Sequence, residues 1–95
     1  MPRYVTLINW TEQGIKNYKD TVDRADSARK VAADMGGSID VLWTLGEYDI
    51  VVTSDFPDDE TATAFLLKLG SLGNLRTKTM RAFESTDVER IIKKS

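Results

Sequence analysis

The order in which strand-like and helix-like hydrophobic patterns follow one another constrains the fold of this chain more than any other feature. Four segments are rich in β-branched and aromatic residues and alternate loosely, as strands do: Arg3–Trp10, Ser38–Leu45, Tyr48–Ser54 and Leu75–Phe83. Between the first and second segments, and again between the third and fourth, apolar residues recur at spacings of three and four, which indicates amphipathic helices. The 95 residues therefore predict one domain with the order β-α-β-β-α-β.

That order is typical of the split βαβ, or ferredoxin-like, fold. We expect an α+β domain whose four-stranded antiparallel sheet carries both helices on one face. A further helix should follow the last strand, because Thr86 and Glu89 have the spacing of a capping box. The prediction is thus a single domain over residues 1–95, with its core over 3–83 and a C-terminal helix over 86–94.

Local signals predict where the elements begin and end. Thr11 and Asp58 each precede a helical pattern and suit the N-cap position. Gly36–Gly37 follows the first helical region and should end it, since glycine tolerates the left-handed conformation found there. The first helical region is weakest near Thr21, where we expect a break. Gly46–Glu47 is predicted to be a short hairpin connection.

The chain contains no cysteine and no histidine, and this excludes several kinds of chemistry. Without cysteine it cannot form a disulfide, a thiolate nucleophile or an iron–sulfur cluster. Without histidine it has no imidazole base and no histidine ligand for zinc or haem. The acidic residues do not have the spacing of a calcium-binding loop, and those of Asp58–Glu60 are explained by helix capping. We therefore expect no metal and no cofactor.

The charge balance argues against two classes of partner. The formal net charge is −2 and the isoelectric point is about 5.0, so the chain lacks the basic surface that nucleic-acid binding requires. Its longest apolar runs are too short to span a membrane. The N-terminus leads directly into the first predicted strand without the apolar segment of a signal peptide. A cytoplasmic location, with neither nucleic acid nor membrane as partner, is the expectation.

The predicted strands also carry information about assembly. Both helices should cover one face of the sheet, and the other face must meet either water or a partner. The first three strands are apolar on both faces to a greater extent than a solvated sheet should be. We therefore expect the uncovered face to contact a second copy of the chain, giving a homodimer or a larger even-numbered oligomer.

A set of residues spread along the chain resembles the pattern of the GYD domain family. The set begins with Thr11, Gly14, Arg24, Ala28 and Gly36–Gly37, continues with Gly46, Tyr48, Asp49 and Pro57–Asp58, and ends with the run from Gly73 to Phe83. The resemblance covers the first strand through Phe83, and the tail beyond is less typical. It implies a fold similar to that of the dimeric α/β-barrel proteins, which include cofactor-free monooxygenases, haem-degrading enzymes and ligand-sensing domains. It therefore implies a dimer and a small-molecule cavity.

Two residues of that pattern invite a functional interpretation. Asp49 could be a carboxylate facing a pocket, with the Tyr48 hydroxyl as a donor beside it. The structural alternative, which we favour, is that Asp49 fixes the exit of the hairpin or pairs with Arg76 or Arg81, while Tyr48 packs on a helix. Ion pairs within sheets are commoner than catalytic carboxylates.

The leading functional hypothesis is a non-catalytic protein that binds a small molecule or serves in assembly. The ligand would lie between the sheet and the helices. The predicted ligand-contacting residues are Asn9, Trp10, Trp43, Tyr48, Asp49 and Arg81. One alternative is a cofactor-free monooxygenase or isomerase for an aromatic or polyketide-like compound, with Asp49 as the base and Arg81 or Asn9 steadying an enolate. Another is a purely structural oligomer with a filled core, in which a tryptophan serves the interface.

Overall fold

The computed structural model describes all 95 residues. The chain forms four strands and four α-helices, with one 3₁₀ turn between the first two helices. The strands are β1 (Arg3–Trp10), β2 (Ser38–Trp43), β3 (Ile50–Asp55) and β4 (Leu75–Ala82). The helices are α1 (Glu12–Lys16), α2 (Thr21–Asp34), α3 (Asp59–Ser71) and α4 (Ser85–Ile92), and the 3₁₀ turn covers Tyr18–Asp20.

The four strands pair antiparallel in the order β2-β3-β1-β4, so β1 and β3 are central and β2 and β4 are the edges. In the middle of the sheet, Thr6 of β1 lies opposite Val52 of β3 on one side and Thr79 of β4 on the other. This strand order, with a helix crossing over between β1 and β2 and another between β3 and β4, is the ferredoxin-like α+β fold. The predicted fold class is confirmed, including the added C-terminal helix.

The two faces of the sheet differ in burial. On β1, Tyr4, Thr6 and Ile8 are buried under the helices, whereas the residues between them are only half-buried. Because side chains alternate along a strand, the half-buried set belongs to the face that no helix covers. We call this side of the sheet the open face. Its apolar residues are Val5, Leu7, Leu42, Val51 and Met80, and its unpaired charged residues at the two edges are Asp40, Arg76 and Lys78.

The region between β1 and β2 begins and breaks where the sequence predicts. The hydroxyl of Thr11 accepts a hydrogen bond from the backbone N–H of Gly14 at 3.1 Å and so caps α1. The helix ends at Lys16, and α2 begins at Thr21 after the 3₁₀ turn. Gly14 is buried, and a Cβ atom on it would run into the carbonyl oxygen of Asn74. Glycine at this position is what lets α1 lie directly against the turn between α3 and β4.

The connection between β2 and β3 is longer than the predicted Gly46–Glu47 hairpin. It covers residues 44–49, because β2 ends at Trp43 and β3 begins at Ile50. The backbone N–H of Thr44 donates to the carbonyl oxygen of Asp49 at 2.8 Å and closes this loop. The Asp49 N–H donates to the carbonyl oxygen of Ile8 on β1 at 2.9 Å, so the last residue of the loop is held by β1.

The last helix is present, but its predicted cap is wrong. Glu84 is the N-cap of α4 and forms a capping box with Asp87, two residues before the predicted Thr86–Glu89 pair. The backbone N–H of Glu84 donates to the Asp87 carboxylate at 3.0 Å, and this hydrogen bond lowers the pKa of Asp87. Glu84 is also held by Arg3 of β1 at 2.6 Å, which favours a start at Ser85.

The molecule exposes more surface than a compact monomer of its size. Its radius of gyration is 14.4 Å, whereas a compact domain of this length has a radius of about 12 Å. Its accessible surface is 6,533 Å², about 1,000 Å² more than the roughly 5,500 Å² expected for a monomer of this mass. Val88, Ile91 and Ile92 of α4 contribute exposed apolar surface. None of the helices combines the length and the apolar character needed to cross a membrane.

Candidate functional site

A cavity of about 460 Å³ lies between the sheet and the helices α2 and α3. It is lined by 26 residues, of which 17 are hydrophobic, and its volume falls in the range of pockets that bind small molecules. The sheet contributes Ile8, Ile50 and Val52 to its floor. The cavity is therefore a mainly apolar space between the layers of the domain, and it is partly open to solvent.

The sequence of α2 explains why this space is not filled. The residues of α2 that line the cavity include Ala25, Ser27 and Ala28, whose side chains are too small to reach across to α3. At the far end, Phe56 and Phe65 stack with ring centroids 5.1 Å apart and close the cavity. The space between α2 and α3 is thus left open at one end, whereas at the other end Phe65 of α3 packs on Phe56, which directly follows β3.

Polar groups gather at the end of the cavity where β1 runs into α1. Arg24 reaches α1 and donates to the carbonyl oxygens of Gly14 and Asn17, each at 3.2 Å. None of the salt bridges in the molecule involves Arg24, so its positive charge has no acidic partner. Trp10, Arg24 and Asn74 all line the cavity. We call this the Arg24 end of the cavity.

Two nitrogen atoms at the Arg24 end are shielded from solvent and have no hydrogen-bond partner: Nε1 of Trp10 and Nη1 of Arg24. A buried donor left unpaired costs about 1–3 kcal/mol of stability, and more for a charged group. Such groups are rare in folded proteins, and each one suggests a missing acceptor. Both residues with an unpaired donor belong to the lining of the same cavity.

The side chain of Asp49 is hydrogen-bonded to the backbone of β1. Its carboxylate accepts a hydrogen bond from the N–H of Trp10 at 2.9 Å, which secures the last residue of β1. This position agrees with the structural alternative, in which Asp49 fixes the exit of the hairpin. The predicted ion pairs of Asp49 are wrong, because it forms no salt bridge with Arg76 or Arg81. Its carboxylate is already engaged by the strand, and Asp49 is not among the residues that line the cavity.

Asn9 and Tyr48 lie on the other side of the sheet. The side-chain amide of Asn9 donates to the carbonyl oxygen of Glu47 at 3.0 Å and ties the loop between β2 and β3 to β1. The Tyr48 ring lies 5.9 Å from the ammonium nitrogen of Lys78, which belongs to the open face. Tyr48 therefore does not pack on a helix as predicted.

Trp43 and Arg81 are also separate from the cavity lining. The indole N–H of Trp43 donates to the hydroxyl of Thr21 at 3.0 Å, which links β2 to the first turn of α2. The guanidinium of Arg81 lies 5.5 Å from the centre of the Tyr4 ring, 4.9 Å from that of the Phe83 ring and 3.8 Å from the Asp59 carboxylate. Arg81 thus joins β4 to the start of α3.

Of the six predicted ligand-contacting residues, the structure places only Trp10 in the cavity lining. Arg24 has a stronger link to the cavity than the other five, although sequence reasoning did not single it out as a site. A signal for it was available: Arg24 lies four residues before Ala28, on the stripe of α2 that faces the sheet. A charged residue in an apolar stripe marks a position with a specific partner.

The remaining titratable group of note in the lining is Tyr4, near the closed end. Burial, together with a hydrogen bond that its hydroxyl donates to Asp59, raises the pKa of Tyr4 to about 12. Tyr4 therefore stays protonated at neutral pH. No group of three or more aspartate or glutamate side chains is arranged to hold a metal ion.

Comparison with solved structures identifies the same fold elsewhere. A crystal structure described as a chlorite dismutase-like protein superposes with a TM-score of 0.58 at 14% sequence identity. The match covers 93% of this chain and 47% of that protein, so this chain spans about half its length. At this identity the likeness concerns the fold alone. No curated protein sequence matches the chain.

Comparison with family models gives the clearer result. The model of the GYD domain matches residues 4–92, which is nearly the whole chain. The match continues past Phe83, the end of the resemblance seen in the sequence, so α4 lies within the family pattern. The residues that carried that resemblance include Thr11, Gly14 and Asp49, which hold the junctions of β1 described above. The chain belongs to the GYD domain family.

Proposed function

We propose that this protein is a homo-oligomer that binds a small apolar molecule and does not transform it. The observation that carries the proposal is the cavity of about 460 Å³ with its largely hydrophobic lining. A domain of this size has little core to spare, and an empty apolar space in it reduces stability. A ligand that fills the space would restore that packing and stabilise the folded state by mass action.

The groups in the cavity support binding more than catalysis. Its charged residues are Asp23, Arg24 and Lys68, all contributed by the helices. The floor offers hydroxyl groups, and that of Tyr4 has a pKa of about 12, too high for proton transfer at neutral pH. Asp49, the candidate base of the alternative enzymatic hypothesis, is bonded to the backbone of Trp10. No observation in the cavity favours that alternative.

The open face supports the proposed self-association. Leu42 is 66% exposed and Met80 is 49% exposed, and both belong to the apolar part of this face. Contiguous exposed apolar surface of this kind marks interaction sites. The roughly 1,000 Å² of excess surface is comparable to the about 800 Å² that each partner buries in a standard interface.

The charges of the open face favour a second copy as the partner. The β2 edge carries Asp40, and the β4 edge carries Arg76 and Lys78. None of the three forms a salt bridge within the chain. In a two-fold interface the same patch serves both subunits, so the acidic edge of one sheet can lie against the basic edge of the other. The face is therefore self-complementary in charge as well as apolar at its centre.

The binding part of the proposal is tested by blocking the cavity. Ala28→Phe places a large side chain in the space, and Ala33→Phe places the same side chain on an exposed position of the same helix. We expect the neutral dye Nile red to bind the parent protein and the Ala33→Phe variant, and to lose affinity for Ala28→Phe. Ala25→Leu provides a second, milder block. Equal dye binding by all four proteins, with circular dichroism showing them folded, would refute the proposal.

The assembly part is tested by a charge on the open face. Leu42→Asp should convert an even-numbered oligomer into monomers, as measured by native mass spectrometry and sedimentation velocity. Leu67→Asp is the matched control, because Leu67 is 71% exposed but lies on α3, away from the open face. A monomeric parent protein at micromolar concentration, or dissociation by Leu67→Asp alone, would show that the open face is not the interface.

A further inference from the structure

The Arg24 end of the cavity contains more than apolar surface, and this narrows the class of ligand. An apolar molecule alone would fill the space between the helices but would leave the unpaired donors of Trp10 and Arg24 as they are. Both donors are N–H groups, and neither nitrogen can act as a hydrogen-bond acceptor. The complement to the Arg24 end is therefore a ligand atom that accepts hydrogen bonds.

The positive charge of Arg24 indicates which kind of acceptor fits this end of the cavity. Arg24 uses one terminal nitrogen, Nη2, for the carbonyl oxygens of Gly14 and Asn17, and leaves Nη1 free. Its charge is not balanced by any carboxylate of the chain. Lys68 adds a second positive charge to the lining, against the single negative charge of Asp23. A guanidinium with a free donor pairs best with a carboxylate, whose two oxygens can serve two donors.

We infer that the cavity takes an apolar monocarboxylate: its hydrocarbon or aromatic body lies on the floor formed by Ile8, Ile50 and Val52, and its carboxylate is bound by Nη1 of Arg24 and Nε1 of Trp10. This inference rests on the proposed function of the cavity and adds the chemical class of the ligand. The body can be an aliphatic chain or a ring system, since most of the lining residues are hydrophobic.

Two pairs of probes separate the contribution of the acid group from that of the apolar body. Decanoate is compared with decanol, and naphthoate with naphthol, each by displacement of Nile red from the parent protein at neutral pH. We expect each acid to bind roughly tenfold more tightly than its matched alcohol, because a hydrogen bond to a charged group is worth about one such factor. The acid that binds more tightly, decanoate or naphthoate, shows whether the body of the natural ligand is aliphatic or aromatic.

Variants then assign the preference to the two residues. Trp10→Phe keeps an aromatic ring and removes the N–H together with part of the apolar surface, so it should weaken acid binding roughly tenfold more than it weakens alcohol binding. Arg24→Gln should do the same and also remove the salt dependence of acid binding. Arg29→Gln is the control, because Arg29 lies on the same helix but pairs with Asp26 and does not line the cavity.

The outcomes separate this inference from the proposal on which it rests. If acids and alcohols bind equally, or if Trp10→Phe and Arg24→Gln leave the preference for acids unchanged, the carboxylate assignment is refuted while the apolar cavity stands. If neither the probes nor Nile red bind, the proposed function fails and this inference fails with it. If Arg29→Gln reduces the preference as much as Arg24→Gln does, the effect is one of general surface charge and the assignment is refuted.

Discussion

The two ends of the layer between sheet and helices are built from similar elements but are filled to different extents. At the closed end, Phe56 is 1% exposed, Phe65 is 4% exposed and Ala32 is fully buried. At the Arg24 end the facing residues are a half-buried arginine and small side chains of α2, and they leave a cavity. The difference shows that the packing of so small a domain is uneven: one end supplies packing energy, and the other keeps a space that lowers stability and that we propose holds a ligand.

The largest expected effect comes from emptying the closed end. Phe56→Ala should lower the free energy of unfolding by about 3–5 kcal/mol, because it removes a fully buried ring and leaves a new cavity. Leu72→Ala, at a position that is 63% exposed beside the existing cavity, should cost less than about 1 kcal/mol. Urea denaturation of both variants measures the contrast. Similar losses in the two would mean that the ends do not differ in packing.

A smaller effect is expected where α1 approaches the turn before β4. Gly14→Ala should destabilise the protein by about 1–3 kcal/mol, since the added methyl group meets the backbone carbonyl of Asn74 and the helix must shift. Gly70→Ala is the control. A Cβ atom there meets nothing within 4 Å, and alanine favours the helix. Thermal unfolding should show a lower midpoint for the first variant and an unchanged or slightly higher one for the second.

Filling the cavity should raise the stability of the protein instead of lowering it. Ala28→Leu is expected to raise the free energy of unfolding by about 0.5–2 kcal/mol in the absence of ligand, because the new side chain occupies space that is already present. The same substitution should reduce Nile red binding, so that stability and binding change in opposite directions. A destabilised variant would indicate that the α2 side of the cavity is more tightly packed than the structure shows.

The last expected effect appears only at alkaline pH, near the closed end. The pKa of Tyr4 is raised from its ordinary value of 10.0 to about 12 in the folded protein, first by burial and then by its hydrogen bond to Asp59. A raised pKa means that the folded state holds this proton more tightly than the unfolded state does. The resulting stability is fully present below pH 10 and is lost as the pH rises through about 12.

This pH effect is measured by unfolding at a series of alkaline pH values, with Tyr4→Phe as the reference. The variant should lose the part of the pH dependence that lies between pH 10.0 and about pH 12, together with the tyrosinate absorbance step near pH 12. If the parent protein and Tyr4→Phe show the same alkaline profile, Tyr4 does not carry the effect, and other groups cause the loss of stability.

Much of the fold could be predicted because its signals are local. The hydrophobic period distinguishes β1 from α2, and the capping residues Thr11 and Asp58 stand where the structure uses them. The loop at 44–49 could not be predicted, because it is shaped by hydrogen bonds from β1, a strand distant in sequence. The cap of α4 was misplaced for a similar reason, since Arg3 holds Glu84 across 81 positions of sequence.

The candidate site was harder to predict than the fold. Polar and aromatic residues near the hairpin were conspicuous in sequence, yet Asp49, Tyr48 and Asn9 are engaged by backbone groups or by the open face. Arg24 appeared in the sequence only as one matching position of a family pattern. Its lack of an acidic partner depends on which carboxylates lie near it in space, and spacing along the chain does not supply that information.

By itself, the sequence determined the fold class, the family and the absence of thiol and imidazole chemistry, because residue type, period and order along the chain are sufficient for these. Only the tertiary structure decided that α2 and α3 leave a cavity over β1, and that Trp10 and Arg24, which line it, each keep an unpaired donor. The physical reason is that a cavity is a difference between the volume that the backbone encloses and the volume that the side chains fill. That difference exists only once distant segments have been brought together.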